Sequence, residues 1–304
     1  MLPFHGTAEG IGAQPGFWEM WLPLEILPLI GVAVGAAIYL FGVWRLNRRG
    51  DKWPIGRTAA WVIGGMGTIF ISTQGPLAYL DTILLSTHMV QHMLLSMITP
   101  VFLALGAPIT LALRTLPLKL RNLLLAFLHS RYAKFMTFPG IAGLIYVMNP
   151  WILYYTGLYE VTLTNQFWHN VNHFHFIAVG CIWVWSLIGI DPMPRMGYPL
   201  RLITTFITLP FHAFLGVTMM SSENLIAESH YESLFRNWGP TIAEDQQIAG
   251  GLLWVAGDLV GLLLFVVLLV QWSKASSREA VRIDRDLDRQ EAAAAAAKTE
   301  QEVG

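Results

Sequence analysis

Residues 166–190, QFWHNVNHFHFIAVGCIWVWSLIGI, decide the fold class. The segment is longer than the roughly 20 residues a helix needs to cross a hydrocarbon core. It holds no Lys, Arg, Asp or Glu, yet it carries His169, His173 and His175. His169 and His173 are spaced i, i+4 and therefore share one helix face. His175 points about 160° away from His173 by helix angle. An imidazole in hydrocarbon is costly and rare unless it faces a partner, a cavity or a metal. The stretch therefore reads as a membrane helix with a function on one face.

The rest of the chain extends the pattern. The 304 residues are 54% hydrophobic and only 13% charged, with mean hydropathy +0.50. This balance excludes disorder and points to a polytopic membrane protein. Segments at 24–44, 58–75, 82–105, 135–155, 166–190, 199–221 and 249–272 are long and apolar enough to span. The second, rich in glycine (WVIGGMGTIF), suits close helix packing. With the C-terminus in the cytoplasm, every Lys and Arg except Arg236 falls on the inner side, which sets N-out, C-in. The expectation is an all-α, polytopic membrane bundle of seven transmembrane helices. An outer N-terminal segment (1–23), the membrane domain (24–272) and a charged, Ala-rich cytoplasmic tail (273–304) follow in order. No Lys or Arg precedes Arg45, so the first span reads as retained rather than as a cleaved signal.

Two further segments carry imidazoles at matching depth. His88 and His92, again i, i+4, lie about 10 and 16 Å below Asp81, which marks the outer mouth. His169 and His173 lie about 6 and 12 Å past Asn165, and His212 about 14 Å below Ser221. Asp258, nine residues into the last span, is at about 14 Å. Any one of these could be a hydrogen-bonded packing residue. Five histidines and an aspartate in one slab read instead as a metal site at His88, His92, His169, His173, His212 and Asp258, with Asp258 orienting a ligand. Met89, Met93, Met219 and Met220 add soft thioethers nearby, although methionine is also an ordinary filler of membrane cores. Imidazole and thioether without thiolate suit copper as Cu(I). The single Cys181 reads as a packing residue, and His129 as a solvated side chain on a surface helix over 117–134. No phosphate loop, nucleophile elbow or HExxH appears, so an enzyme is not expected, nor is a nucleic-acid partner.

Four blocks carry a resemblance. THMVQHMLLSMITPVFLALGAP (87–108), FWHNVNHFHFIAVGCIWVWSLIGIDPMP (167–194), LPFHAFLG (209–216) and DQQIAGGLLWVAGD (245–258) resemble the CtaG family in order and helix count. Those proteins are bacterial integral-membrane assembly factors for caa-type cytochrome c oxidase. The resemblance covers about residues 20–272 and leaves out the Ala-rich tail. It implies a multi-pass protein of the bacterial inner membrane that matures the oxidase, with copper delivery to its copper–haem centre as the mechanism. Its partners would be the oxidase subunit carrying that centre, a periplasmic copper donor and the lipid bilayer. The five matched histidines would handle copper, with Asp245 and Asp258 near the same mouth. His175 has no role in that pattern. Three other readings stay open: a copper transporter, a haem b-binding electron-transfer protein, and a scaffold whose histidines only hydrogen-bond.

Overall fold

The computed structural model describes residues 13–193 and 196–303, with side chains to Ala293. Residues 1–12 of the expected outer segment, Arg195 of the expected inner loop and Gly304 of the tail lie outside the described residues. The chain is helical over 81% of its length, and no strand occurs among the described residues.

Five helices are long and apolar enough to cross a membrane. They are α1 (Ile26–Asn47), α4 (Leu85–Leu105), α10 (Gln166–Ile188), α11 (Tyr198–Ser221) and the first part of α13 (Ile242–Val303). The other two expected spans are also helical. One is α2, a continuous run formed by Ile55–Ala59, a π segment at Ala60–Met66 and Gly67–Thr73. The other is α8, Pro139–Tyr155, of 17 residues. Short helices join them: α3 (Gly75–Leu80), α5 (Pro108–Thr115), α6 (Leu118–Leu128), α7 (Arg131–Met136), α9 (Leu158–Thr164) and α12 (Glu228–Ser233). The tail continues α13 as helix for 62 residues in all, about 90 Å.

Local chemistry sets the ends of the central helix α10. The Asn165 side chain accepts hydrogen bonds from the Phe167 and Trp168 amides at 3.0 and 3.3 Å, an N-cap. Gly189 closes the helix at φ +62°, a conformation that glycine adopts without strain. Asp191 then accepts from the Thr110 amide and the Trp185 indole, tying the far end of α10 to α5.

Packing within the bundle depends on small residues. A Cβ at Gly180 of α10 would lie 2.1 Å from the Ser96 carbonyl, inside the π segment Leu94–Ile98 of α4. Only glycine permits that approach. A Cβ at Gly216 of α11 would similarly lie 2.6 Å from the Gly250 carbonyl of α13. The main apolar cluster of the interior includes Leu85, Met89, Phe176, Leu215, Met219 and Leu253, with smaller clusters around Tyr39, Leu46 and Leu111 and around Ala104, Val184 and Leu264. Outward faces are also apolar: Ile26, Leu27, Ile30, Ile38 and Phe41 of α1 are all exposed. A water-soluble monomer rarely exposes a continuous apolar surface of that extent. The protein is a membrane protein.

A cross-helix cap joins α13 to α4. Asp245 Oδ2 accepts from the Leu85 amide at 2.6 Å and Oδ1 from the Ser86 amide at 3.3 Å, and the Ser86 hydroxyl donates to the same carboxylate. The first free amides of α4 are thereby satisfied by another helix. Asp245→Ala is expected to destabilise the protein by about 1–3 kcal/mol. Thermal unfolding in detergent checks this, and an unchanged midpoint would mean that the cap carries no stability.

Candidate metal centre

The Asp245 cap fixes the height of α4, and one turn further in stand His88, Gln91 and His92, all buried. Gln91 sets their rotation. Its Nε2 donates to the Ser72 carbonyl of α2 at 2.8 Å, and its Oε1 lies 2.9 Å from His173 Nε2. One side chain thus joins three helices beside the imidazoles.

Asp81, in the turn between α3 and α4, is fully buried. His169 Nε2 stands 2.9 Å from its Oδ2, and His173 Nε2 stands 3.7 Å from the same oxygen. Neither approach is well aligned for a hydrogen bond, so the carboxylate is held chiefly by close-range charge pairing. Burial pushes the Asp81 carboxyl up, but the neighbouring His169 and His173 outweigh it and hold the group below the usual carboxylate range. Asp81, His169 and His173 each offer one ligand atom, all within 4.8 Å of one another. That is the spacing of donors around a common ion. Two imidazoles and a carboxylate make a donor set of borderline hardness, suited to a divalent transition metal and open to copper.

A second, softer group lies deeper. His92 Nδ1 is 3.0 Å from the Tyr154 hydroxyl, and that hydroxyl lies 4.0 Å from Met89 Sδ. The His92 ring stacks on Phe176 at 4.1 Å and 6°. His88 connects the two groups. It is fully buried among the rings of Tyr154, Tyr159 and Phe176, and neither of its nitrogens has a partner.

With the geometry in place, the relatives are informative. Residues 37–275 match the model of a family described as cytochrome c oxidase caa3 assembly factor (Caa3_CtaG). The chain belongs to that family. Caa3_CtaG membership agrees with the resemblance carried by the four sequence blocks. The chain is also similar to an uncharacterized protein of Mycobacterium bovis, 38% identical over 270 residues. That match covers 86% of this chain and 41% of the relative. An uncharacterized Mycobacterium tuberculosis protein gives the same figures. One from Mycobacterium leprae is 35% identical over 280 residues, covering 90% of this chain and 42% of its own. The chain thus spans about two fifths of the curated relatives it matches. No solved structure gives a significant match.

Within this Caa3_CtaG chain the six residues expected from sequence are placed differently. His169 and His173 meet at Asp81, with His88 and His92 next to them along α4. His212 lies apart, in a small pocket with Tyr146 and Gly257, its Nδ1 3.3 Å from the Thr208 carbonyl. Asp258 is only partly buried and accepts from the Trp254 indole, one turn earlier on the same helix, at 3.0 Å. Asp245 is the α4 cap, and His175 pairs with Asn149. Met219 is in the core, and Met220 packs beside Gly250 of α13. Sequence reading missed Asp81, Gln91 and Tyr154 as site residues. The available signal was position: Asp81 is an acid at the edge of an apolar span, one helical turn before α4 begins.

A buried imidazole with no partner should cost stability in the metal-free protein. His88→Met, of similar bulk, is expected to raise stability of the metal-free form by about 1 kcal/mol or more. Thermal unfolding after chelation checks this. A lowered midpoint would mean that His88 serves packing.

Proposed function

We propose that this protein binds copper as cargo at Asp81, His169 and His173 and supports its insertion into the copper–haem subunit of cytochrome c oxidase. In this reading it is a seven-helix, N-out and C-in protein of the bacterial inner membrane. The single observation that carries the reading is the buried Asp81 carboxylate facing two imidazoles, the three ligand atoms lying within 4.8 Å of one another. The family assignment supports the oxidase as the destination. The concentration of Lys and Arg in alternate loops supports the orientation, with the Asp81 end facing outward.

The chain's own residues account for capture and release. Asp81 supplies the charge that makes a cation favourable in a low-dielectric interior. His169 and His173 supply nitrogens from one face of α10. Gln91 holds His173 when the site is empty and releases it when a cation takes its nitrogen. His88 offers two uncommitted nitrogens next along α4, and His92 with Met89 offers a softer pair beyond it. Transfer proceeds by ligand exchange, with no catalytic step. A periplasmic copper donor would load the Asp81 end, and release would be lateral or back to the same face. A full transport path would require ligands in the inner halves of the helices as well, and among the described residues the one group of three His, Cys, Asp or Glu side chains spaced for an ion lies at the Asp81 end.

The test is metal and haem content of the purified protein beside an Asp81→Asn/His169→Ala variant. Wild type is expected to retain copper after anaerobic loading, with affinity lower by about 100-fold or more in the variant. Equal retention would remove the site. A Soret band would favour the cytochrome reading, and neither copper nor haem would leave a scaffold. In cells, the same variant is expected to keep its abundance and lose oxidase activity. Collapse of abundance would mark those residues as structural.

A further inference from the structure

A cavity among the described residues lies outside the Asp81 cluster. It is a groove of about 790 Å³ between α8 and α10, open along its side and walled by apolar residues including Leu144, Ile152 and Val171. Helix α9 links the ends of α8 and α10, and Leu158, Val161 and Thr162 of α9 also line the groove, so α9 roofs it at the Asp81 end. Its volume is in the range of small-molecule sites.

Polar groups lie in its wall where hydrocarbon would otherwise reach. His175 is exposed, its Nε2 2.7 Å from Asn149 Oδ1. Asn149 is half-buried in the same wall, and with its Oδ1 engaged by His175 its Nδ2 is the amide donor left facing the groove, while Asn172 lies behind the wall at 6% exposure. Along the helices, Asn149 is about 9 Å from the end of α8 and His175 about 14 Å from the start of α10. That is deeper than the ester carbonyls of a phospholipid, which stay near the helix ends. An imidazole and two amides at such depth are costly unless a polar group meets them.

We propose that this groove binds a neutral, long-chained carbonyl lipid of the quinone type. The apolar walls hold the chain, and the Asn149 amide, whose oxygen is engaged by His175, donates to the head carbonyl. The roof argues against a transmembrane helix as occupant. Helix α9 blocks the Asp81 end, so a straight membrane-crossing helix cannot lie along the floor. A ligand entering sideways from the bilayer meets no such obstruction. The same helix, α10, carries the metal cluster on one face and this groove on another, but the inference does not depend on the metal reading.

The experiment uses the full chain in phosphatidylcholine nanodiscs, with decylubiquinone as probe and empty nanodiscs as the partition blank. Saturable binding above the blank is expected. Asn149→Ala and His175→Ala should each weaken it about tenfold, the effect of one lost hydrogen bond. Val171→Trp, which fills the groove from an exposed position, should abolish it. Val217→Trp, at a similarly exposed site on α11, should leave it unchanged. No saturable component, or equal binding by wild type and Val171→Trp, would overturn the proposal. So would native mass spectrometry showing a retained phospholipid or a second copy of the chain released by Val171→Trp.

Discussion

A fully buried carboxylate is expensive, with an effective cost of several kcal/mol per ion in a protein interior unless it is paired. Asp81 is such a group, and much of the surrounding structure follows from keeping it there. The helical run breaks between α3 and α4 so that Asp81 can point inward from a turn. Helix α10 then presents two imidazoles at i, i+4 toward one oxygen of that carboxylate. Gln91 and Ser72 hold the rotation of α4 relative to α10 and α2. Because both imidazoles crowd onto Oδ2 and Oδ1 has no partner, the site is charged and incompletely satisfied. A group meant only to stabilise the fold would be better paired.

The mouth around Asp81 is closed by polar contacts between distant segments. Glu25, at the start of α1, accepts from the Gln166 side chain at 2.7 Å, and the Gln74 amide bonds the Glu25 backbone. From the other side, His230 of α12 meets the Thr82 carbonyl at 2.8 Å, next to Asp81. Its neighbour Tyr231 shares a 2.7 Å hydrogen bond with Tyr159, whose ring packs on His88. Burial raises the Glu25 carboxyl from its usual range, with His169 opposing. These closing contacts are part-buried hydrogen bonds, and the Tyr159–Tyr231 one is fully buried, so the mouth is tied to the apolar core beneath it.

Much of this was legible from the sequence, and the limit is physical. Span length and apolarity locate the helices, and i, i+4 spacing puts His88 with His92 and His169 with His173. Counting residues from a helix end also yields depth. Depth is one coordinate, however, and the direction a helix turns its face is set by packing. His212 and Asp258 were grouped with the others on depth alone. The Gly216–Gly250 contact fixes how α11 and α13 face each other, and His212 then lies over Gly257 rather than toward Asp81. Asp258 turns to Trp254 on its own helix. Asp81 was read only as a boundary marker, because a turn residue has no helical period to reveal its direction. The π segment of α4 has a cause in the sequence, since Pro100 offers no amide to the Ser96 carbonyl, which Gly180 of another helix approaches instead.

The order of donors bears on the proposed handling of a metal cargo. A single tight site would hold its ion, whereas transfer needs donors of graded character within reach of one another. Asp81 with two imidazoles is the harder set, suited to drawing a cation out of water. His92, the Tyr154 hydroxyl and the Met89 thioether form the softer one. Between them His88 has no hydrogen bond to break before it can bind, so exchange through it does not require breaking an existing interaction. The same feature that weakens the empty protein would lower the barrier to moving an ion. In that reading the unpaired imidazole is retained for transfer, and the stability it costs is supplied by the apolar packing of Met89, Phe176 and Leu253 around the site.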